Sequence, residues 1–310
     1  MHCGEPGDDF SVNTIDRVFR AGLQAVDGAT AWTGMVLDDF THLRRTLDGN
    51  DLDAWNPDYI RRLLPLWRAV MGTYFRGEVR GLDNIPEEGP CLLVGNHSGG
   101  TMIADTFVFA GEFYAHFGPH RRFHQLAHDI AARVPGTGIN RWGTVAASHD
   151  NARAAFDRGA AVLVYPGGDY ETFRPSWHSD QIEFGGRKGF IRLALESGVP
   201  IVPVVALGGQ ETALFVTRGE RAARATGWAN LTRIKVLPVA LAPPFGISVL
   251  DLPPRLPLPA KITIEVLPPI DLERRFERDA DHTEVYEAIT GAMQQTLSEL
   301  QDERSIPVVG

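Results

Sequence analysis

The chain has 310 residues, a formal net charge of −9 at pH 7, 44% hydrophobic residues and 22% charged residues. These values are typical of a globular protein with one large domain or two small ones, and the acidic balance argues against a surface built for nucleic acid. The 2 cysteines, Cys3 and Cys91, are too few for a disulfide framework, which favours a reducing compartment.

No part of the sequence approaches the run of about 20 apolar residues that a membrane-spanning helix requires. The beginning of the sequence, "MHCGEPGDDF", is acidic and lacks the cationic and apolar regions of a signal peptide. We therefore expect a cytoplasmic protein that associates peripherally with the inner face of the membrane.

Residues 1–75 are predicted to be a helical N-terminal region. Apolar residues recur at spacings of three and four in "TIDRVFRAGLQAV" and "YIRRLLPLWRAVMGTYF", with arginines between them. In the second segment, Ile60, Leu63, Leu64 and Trp67 form one stripe. Two interpretations of the stripe stay open: it packs on a protein core, or it lies at a lipid interface with basic side chains toward anionic headgroups.

Residues 76–310 are predicted to be an α/β domain. Apolar runs at 91–95, 161–165, 201–207, 234–241 and 261–267 are strand candidates, and helical patterns at 151–159, 188–198 and 285–300 alternate with them. This alternation predicts a mixed or mostly parallel sheet flanked by helices. The proline-rich stretch 240–261 is predicted to be a surface loop.

The first candidate motif is "GNHSGG", which follows the apolar run 91–95. It contains Asn96, His97, Ser98, Gly99 and Gly100. Open α/β sheets bind ligands at the carboxyl ends of their strands, where His97 would stand. Histidine is suited to accept a proton near neutral pH, and the glycines would let the backbone approach a substrate. The alternative is a tight turn in which the glycines only permit a positive φ.

A second run, "VLVYPGGDYETF", also ends in a pair of glycines. Pro166, Gly167, Gly168, Asp169, Glu171 and the following Arg174 form this motif. A third run, "IVPVVALGGQET", ends in the same way. Three strand ends of one sheet, each closed by glycines and polar residues, indicate a shared cleft.

The motifs "NHSGGTMIAD", "VYPGGDYETFRP", "FGGRKGFIRLALESGVPIVPVVALGGQE" and "KITIEVLPPIDL" resemble the glycerolipid acyltransferase superfamily. The likeness runs from about residue 75 to 273 and is nearest to the monoacylglycerol and diacylglycerol acyltransferase branch with its bacterial relatives. It implies an O-acyltransferase that moves a fatty acyl group from acyl-CoA or acyl carrier protein to a hydroxyl of a glycerolipid. No cofactor or metal is implied.

Two departures from the superfamily pattern affect the candidate residues. The superfamily places an aspartate five positions after the histidine, whereas this chain has Met102 there and its first aspartate at Asp105. Asp105 is therefore the candidate partner of His97, with the start of a helix as its alternative role. The Glu-Gly-Thr-Arg of phosphate-acceptor enzymes is replaced by "PGGDYE", so a phosphate would depend on Arg174 or Arg187.

The residues predict a coherent reaction. His97 would accept the proton of the acceptor hydroxyl, which attacks the thioester carbonyl, while N–H groups near Gly99, Gly100 or Gly167 hold the oxyanion. Arg187 and Lys188 would touch the donor's phosphates or only begin a helix. The rival hypotheses are a non-catalytic lipid-binding protein and a lipid or thioester hydrolase, although the chain has no Gly-x-Ser-x-Gly elbow.

A group of histidines offers an alternative to this site. His116, His120, His124 and His128 fall at intervals of four, a spacing that on a helix would suit a metal ion. Gly118 interrupts any helix there, so we expect surface or core-edge roles and no metal site.

Overall fold

The computed structural model describes residues 49–128, 132, 138–227, 235–244, 246–251, 255–276, 281–304 and 306. The first predicted helix, the beginning of the N-terminal region and the first residue of the predicted strand 234–241 lie outside the described residues.

The described strands are β1 Glu78–Arg80, β2 Cys91–Gly95, β3 Phe123–Ala127, β4 Thr144–Ala146, β5 Ala161–Val164, β6 Ile201–Leu207, β7 Leu214–Thr217, β8 Val239–Ala242, β9 Gly246–Val249 and β10 Thr263–Val266. Seven of these strands form one sheet in the order β1-β10-β6-β2-β5-β3-β4, and three form a second sheet in the order β7-β8-β9. All neighbours in the large sheet are parallel except β10 and β6. The fold class predicted from the sequence is confirmed.

Helices cover both faces of the large sheet. The α-helices are α1 Pro57–Tyr74, α2 Ala104–Phe117, α3 His149–Phe156, α4 Gly168–Thr172, α5 Gly189–Ser197, α6 Glu220–Ala225, α7 Leu272–Arg275 and α8 His282–Asp302. Short 3-10 helices are Leu52–Ala54, Leu82–Asn84, Ile139–Trp142, Ser176–His178 and Gly209–Thr212. The central strands β2 and β6 are buried along their whole length, as expected for strands covered on both faces.

Helix α8 shows how periodicity sets the packing. Its N-terminus is capped by Asp281, whose carboxylate accepts a hydrogen bond from the Thr283 N–H. Its buried stripe, predicted from the spacing in the sequence, is Val285, Ile289, Met293, Leu297 and Leu300. These residues join a core with α5 and one face of β2, β5 and β6.

Helix α1 resolves the two interpretations of its apolar stripe. Ile60 and Leu63 are buried in the core on the opposite face of the sheet. Trp67 packs on Phe107 and Trp142, with ring centroids 5.5 and 4.9 Å away, and its indole N–H donates to the Phe107 carbonyl at 2.9 Å. The stripe therefore packs on protein and is not available to a lipid surface.

The prediction of a loop over residues 240–261 is wrong in part. Strands β8 and β9 form a hairpin there, paired from Val239–Val249 to Ala242–Gly246. The alternation of "VALA" and "GISV" supports two strands, and the prolines between them occupy the turn, where no ladder hydrogen bond is lost.

The histidines at intervals of four do not share a helix. His116 lies on α2, whereas His124 is buried on strand β3, where its Nδ1 lies 3.1 Å from the Gly143 carbonyl. Over the ranges that the structure describes, no group of three or more histidine, cysteine, aspartate or glutamate residues is placed to hold a metal ion. Within the same ranges, no helix is long and apolar enough to cross a bilayer.

Candidate active site

The three strand ends singled out in the sequence are neighbours. Strand β2 pairs in parallel with β5 on one side and with β6 on the other. The loops that follow these strands therefore leave the same edge of the sheet. This brings "NHSGG", "PGGDYE" and "GGQET" together, because parallel strands place their carboxyl ends side by side.

His97 lies at the centre of this edge. Its ring stacks on Tyr165, with centroids 4.3 Å apart and an angle of 13° between the planes. The residue is half-buried, whereas its Nδ1 atom is fully covered and has no hydrogen-bond partner among the described residues. Burial lowers the pKa of His97 to about 3, and the Arg174 charge acts in the same direction. The imidazole is therefore neutral near pH 7, and its burial disfavours the protonated form.

Asp105 bonds to Ser98 and not to His97. The Ser98 hydroxyl donates to Asp105 Oδ2 at 2.8 Å, and the Thr106 N–H donates to Oδ1 at 2.7 Å. Asp105 lies in the first turn of α2, so the alternative role considered for it is realised in the structure. Burial raises the pKa of this carboxyl to about 6, against the lowering effect of its hydrogen bonds.

Glu171 and Arg174 brace the backbone beneath His97. Glu171 Oε2 accepts from the His97 N–H at 2.8 Å, and Oε1 accepts from the Glu183 N–H at 3.0 Å. Arg174 donates to the carbonyls of His97 and Glu171 at 2.7 and 3.1 Å. Both side chains are buried, and burial raises the pKa of Glu171 to about 7. These contacts fix where the imidazole stands.

The glycine pair fits the turn interpretation. Gly99 and Gly100 have φ values of 88° and 64°, which a residue with a side chain rarely adopts. The Gly99 N–H donates to Gln210 Oε1 at 3.1 Å, and the Gly100 N–H donates to the Thr172 carbonyl at 3.2 Å. Because both N–H groups are already bonded within the protein, the geometry does not support the oxyanion role predicted for them.

A buried ion pair from the segment after β9 holds this glycine loop. Arg255 donates to Asp251 Oδ1 at 2.8 Å and to the Gly99 carbonyl at 2.6 Å. Asp251 Oδ2 accepts from both the backbone N–H and the hydroxyl of Thr101 at 2.8 Å. The two charged side chains are 1% and 0% exposed. The glycine loop is therefore held by residues that follow β5 and β6 and by residues that follow the second sheet.

Arg187, another residue predicted from the sequence, contacts the second motif. Arg187 donates to the carbonyls of Pro166 and Gly167 at 3.0 and 2.7 Å, and its second terminal nitrogen lies 3.2 Å from Asp169. A methyl group on Gly168 would meet this guanidinium at 2.8 Å. Arg187 thus holds the second motif in shape.

Asn96 and Lys188 make contacts within the protein. The Asn96 amide donates to the Ala206 carbonyl at 2.9 Å and accepts from its N–H at 2.7 Å, which uses both ends of the amide. The Lys188 ammonium donates to the Thr283 hydroxyl at 2.7 Å, at the start of α8. These contacts hold both side chains within the protein, and the substrate contacts expected for them stay predictions.

Sequence reasoning missed four residues of the site, which are Tyr165, Gln210, Asp251 and Arg255. The first two stand inside motifs that were recognised, directly after β5 and in the 3-10 helix after β6. The other two are far along the chain, in a stretch predicted to be a loop. A charged pair with a spacing of four residues in an otherwise apolar and proline-rich segment was the available signal.

Comparisons with known proteins show what the chain resembles in sequence. Residues 76–207 match the sequence profile of the Acyltransferase family. An uncharacterized protein of Mycobacterium tuberculosis is 27% identical over 312 residues, covering 95% of this chain and 84% of the relative. The "DGAT1/2-independent enzyme synthesizing storage lipids" of Bos taurus is 28% identical over 141 residues, covering 45% of this chain and 41% of the relative.

A solved structure gives a further likeness. The crystal structure of the 1-acyl-sn-glycerophosphate (LPA) acyltransferase PlsC from Thermotoga maritima has a TM-score of 0.49 and 17% sequence identity. The superposition covers 80% of this chain and 83% of the PlsC chain.

Proposed function

Because residues 76–207 belong to the acyltransferase family, within the glycerolipid acyltransferase superfamily that the motifs resemble, we propose that the protein moves a fatty acyl group from a thioester to a hydroxyl of a glycerolipid. The single observation that carries this proposal is the position of His97. Its neutral imidazole stands where three strand ends meet, and its Nδ1 has no partner within the described chain.

The proposed reaction needs one proton acceptor. A ring nitrogen of His97 accepts the proton of the acceptor hydroxyl while its oxygen attacks the thioester carbonyl. The new C–O bond forms, the tetrahedral intermediate collapses, and the C–S bond breaks. The thiol, with a pKa of about 8.5 if it behaves like cysteine, leaves as a thiolate and recovers the proton from the imidazolium. No acyl-enzyme is required.

Ser98 supports the transfer without acting as the nucleophile. Its hydroxyl donates to Asp105 and approaches no histidine nitrogen in any hydrogen bond that the structure describes. A serine nucleophile needs an adjacent base to take its proton. This contact favours transfer over the hydrolase hypothesis.

A neutral acylglycerol is the acceptor that we favour over a phosphorylated one. Arg174 and Arg187, the candidate phosphate ligands, donate to carbonyls of the protein itself. The bovine relative, named for the synthesis of storage lipids, supports the same preference. We propose acyl-CoA or acyl carrier protein as the donor, no cofactor, and a cytoplasmic enzyme at the inner face of the membrane.

Two variants test the proposal. Purified protein is incubated with labelled acyl-CoA and a panel of mono- and diacylglycerols and lysophosphatidate, and lipid products are measured by mass spectrometry. His97→Ala is expected to lower acyl transfer by about 10²- to 10⁴-fold, the usual contribution of a general base. Ser98→Ala is expected to retain most of the transfer because it removes only a partner of Asp105.

The outcomes separate the rival functions. Release of free fatty acid from acyl-CoA without an acceptor, abolished in Ser98→Ala, would establish the hydrolase. Lipid binding with no transfer by the unchanged protein would establish the lipid-binding hypothesis. Equal transfer by the His97→Ala variant and the unchanged protein would remove His97 from the mechanism.

A further inference from the structure

The second sheet presents an apolar face to solvent. Among the described residues, 11 large hydrophobic side chains are exposed, and 5 of them lie on strands β7, β8 and β9. Leu214, Val216, Leu241, Ile247 and Val249 are these five, which we call the apolar sheet face. Ile247 is 71% exposed, a value unusual for isoleucine in a folded protein.

The strand register places these side chains on one surface. Leu241 is the cross-strand partner of both Leu214 and Ile247, so the three form a row across the sheet. Val249 follows Ile247 by two residues, which puts it on the same side. Val216 lies at a break in the strand register between Phe215 and Thr217 and is also exposed. The strands β7, β8 and β9 contain no charged residue. Contiguous exposed apolar surface of this kind marks a site of interaction.

The opposite face of the second sheet packs against the rest of the protein. Phe215 and Ala240 are buried with Phe173 in a separate core. A methyl group on Gly100 would meet the Phe215 ring at 2.7 Å, which shows how closely the sheet lies against the glycine loop. The Asp251–Arg255 ion pair ties the same sheet to Gly99 and Thr101. The apolar sheet face is thus fixed relative to His97.

Cations accompany the apolar sheet face. The connection from β7 to β8 carries the exposed side chains of Arg221, Arg224 and Lys235. The Lys235 N–H donates to Asp169 Oδ2 at 2.9 Å, so this connection also borders the second motif of the site. In a chain whose net charge is −9, three exposed cations on the connection between two strands of this sheet are complementary to anionic headgroups above acyl chains. In a symmetric contact of two copies through this face, the same cations would meet one another and repel.

We propose that the apolar sheet face docks on an anionic lipid bilayer and holds the glycine loop at its surface. Trp177, which is 61% exposed, belongs to the contact, since the Phe215 N–H donates to the adjacent Ser176 hydroxyl at 2.9 Å. Tryptophan is enriched where acyl chains meet headgroups. The inference rests on the proposed function in one respect: a glycerolipid acceptor is taken from the membrane that the sheet contacts.

Vesicle binding tests the proposal with the full chain. The double variant Ile247→Thr/Val249→Thr keeps β-branched side chains in the strand but removes apolar surface. It is expected to bind phosphatidylcholine–phosphatidylglycerol vesicles roughly 10-fold or more weakly in a flotation assay, because each apolar group lost from the contact weakens partition. The matched control is Leu66→Thr/Val70→Thr, which changes two exposed apolar residues of α1 and is expected to bind normally.

Charge gives a second, independent arm. Arg221→Gln/Arg224→Gln is expected to weaken binding to the anionic vesicles by about 5-fold for each cation removed. On vesicles of phosphatidylcholine alone, the same variant and the unchanged protein are expected to bind equally. Raising the salt concentration is expected to remove the difference on anionic vesicles, since exposed charges are screened.

The outcomes decide the proposal separately from the proposed function. Unchanged vesicle binding by Ile247→Thr/Val249→Thr, or loss of binding in the α1 control, would overturn it. Loss of a dimer in analytical ultracentrifugation on the same substitutions would show that a second copy covers the face. Acyl transfer to a water-soluble short-chain acceptor is expected to persist in the variant, and its absence in every protein would count against the acyltransferase and not against docking.

Discussion

Burial determines the protonation of the ionisable side chains around His97. Burial favours the neutral form of each, so the pKa of His97 falls to about 3 while that of Asp105 rises to about 6 and that of Glu171 to about 7. The Arg174 guanidinium opposes the rise for both carboxyls. The His97 base is therefore neutral near pH 7, and burial opposes its protonation in the free protein.

The Asp105 carboxyl makes stability depend on pH. Its pKa is raised from 3.8 to about 6 in the folded protein. Between these values the folded chain holds the proton that the unfolded chain has lost, so the free energy of unfolding falls as pH rises and then levels above pH 6. Asp105→Asn removes this contribution. Relative to the unchanged protein, the variant is expected to gain about 2 kcal/mol between pH 4 and pH 7, measured by urea unfolding.

An exposed carboxyl provides the control for this measurement. Asp150, on the first turn of α3, has a side chain that is 96% exposed. Asp150→Asn is expected to follow the pH profile of the unchanged protein. A profile for Asp105→Asn that runs parallel to that of the unchanged protein would show that the buried carboxyl is not protonated in the fold.

At the scale of an element, the loop between β2 and α2 is held by shape as well as by hydrogen bonds. Gly100 has a positive φ, and a methyl group there would meet Asp251 Oδ2 at 2.4 Å. Gly198, which follows α5, has a φ of 61° in the left-handed region and open space around the same position. The two glycines therefore share the backbone requirement and differ only in the surrounding contacts.

Alanine at these two positions separates conformation from contact. Both variants are expected to lose about 1–2 kcal/mol for the left-handed backbone. Gly100→Ala is expected to lose roughly 1–3 kcal/mol more, because an over-packed site must shift, and to lose acyl transfer as the loop moves. Urea unfolding and initial rates measure the two effects. Equal stability and activity in both variants would mean that the loop accommodates the methyl group and that its packing against the second sheet is loose.

At the scale of the whole molecule, helix α1 and the large sheet form one core. The boundary after residue 75 remains a prediction, yet Trp67 contacts residues of α2 and of the 3-10 helix Ile139–Trp142. Trp67→Ala is expected to lower the free energy of unfolding by about 3 kcal/mol, in the range of large-to-small changes at packed aromatics. The whole unfolding transition is expected to shift to a lower denaturant concentration, whether it is followed by far-UV circular dichroism or by fluorescence.

Trp177→Ala is the matched change for that experiment. Trp177 is mostly exposed, so its removal is expected to change the free energy of unfolding by no more than about 0.5 kcal/mol. If Trp67→Ala created a separate early transition and left the main one in place, the N-terminal helix would be an independent unit, as the division at residue 75 implies.

Local patterns in the sequence predict part of the fold and part of the site, although β3, β4, β7 and β9 were not among the predicted strands. Apolar runs ending in glycine pairs predicted β2, β5 and β6, and periodicity predicted the buried stripe of α8. Such features are readable because they depend on residues near one another in the chain, where spacing and side-chain type set the local structure. The strand ends closed by glycine pairs also identified His97, Glu171 and Arg174 as residues at one edge of the large sheet.

The contacts of those residues depend on how distant segments pack together. The tertiary structure joined Asp105 to Ser98, committed Asn96 and the Gly99 N–H to partners within the protein, and brought Asp251 and Arg255 to the glycine loop. It also buried the stripe of α1 while leaving the apolar sheet face exposed. Neither outcome is encoded in periodicity, because an amphipathic segment has the same pattern whether its apolar side meets protein or lipid. The side that is buried depends on which distant segments pack against it.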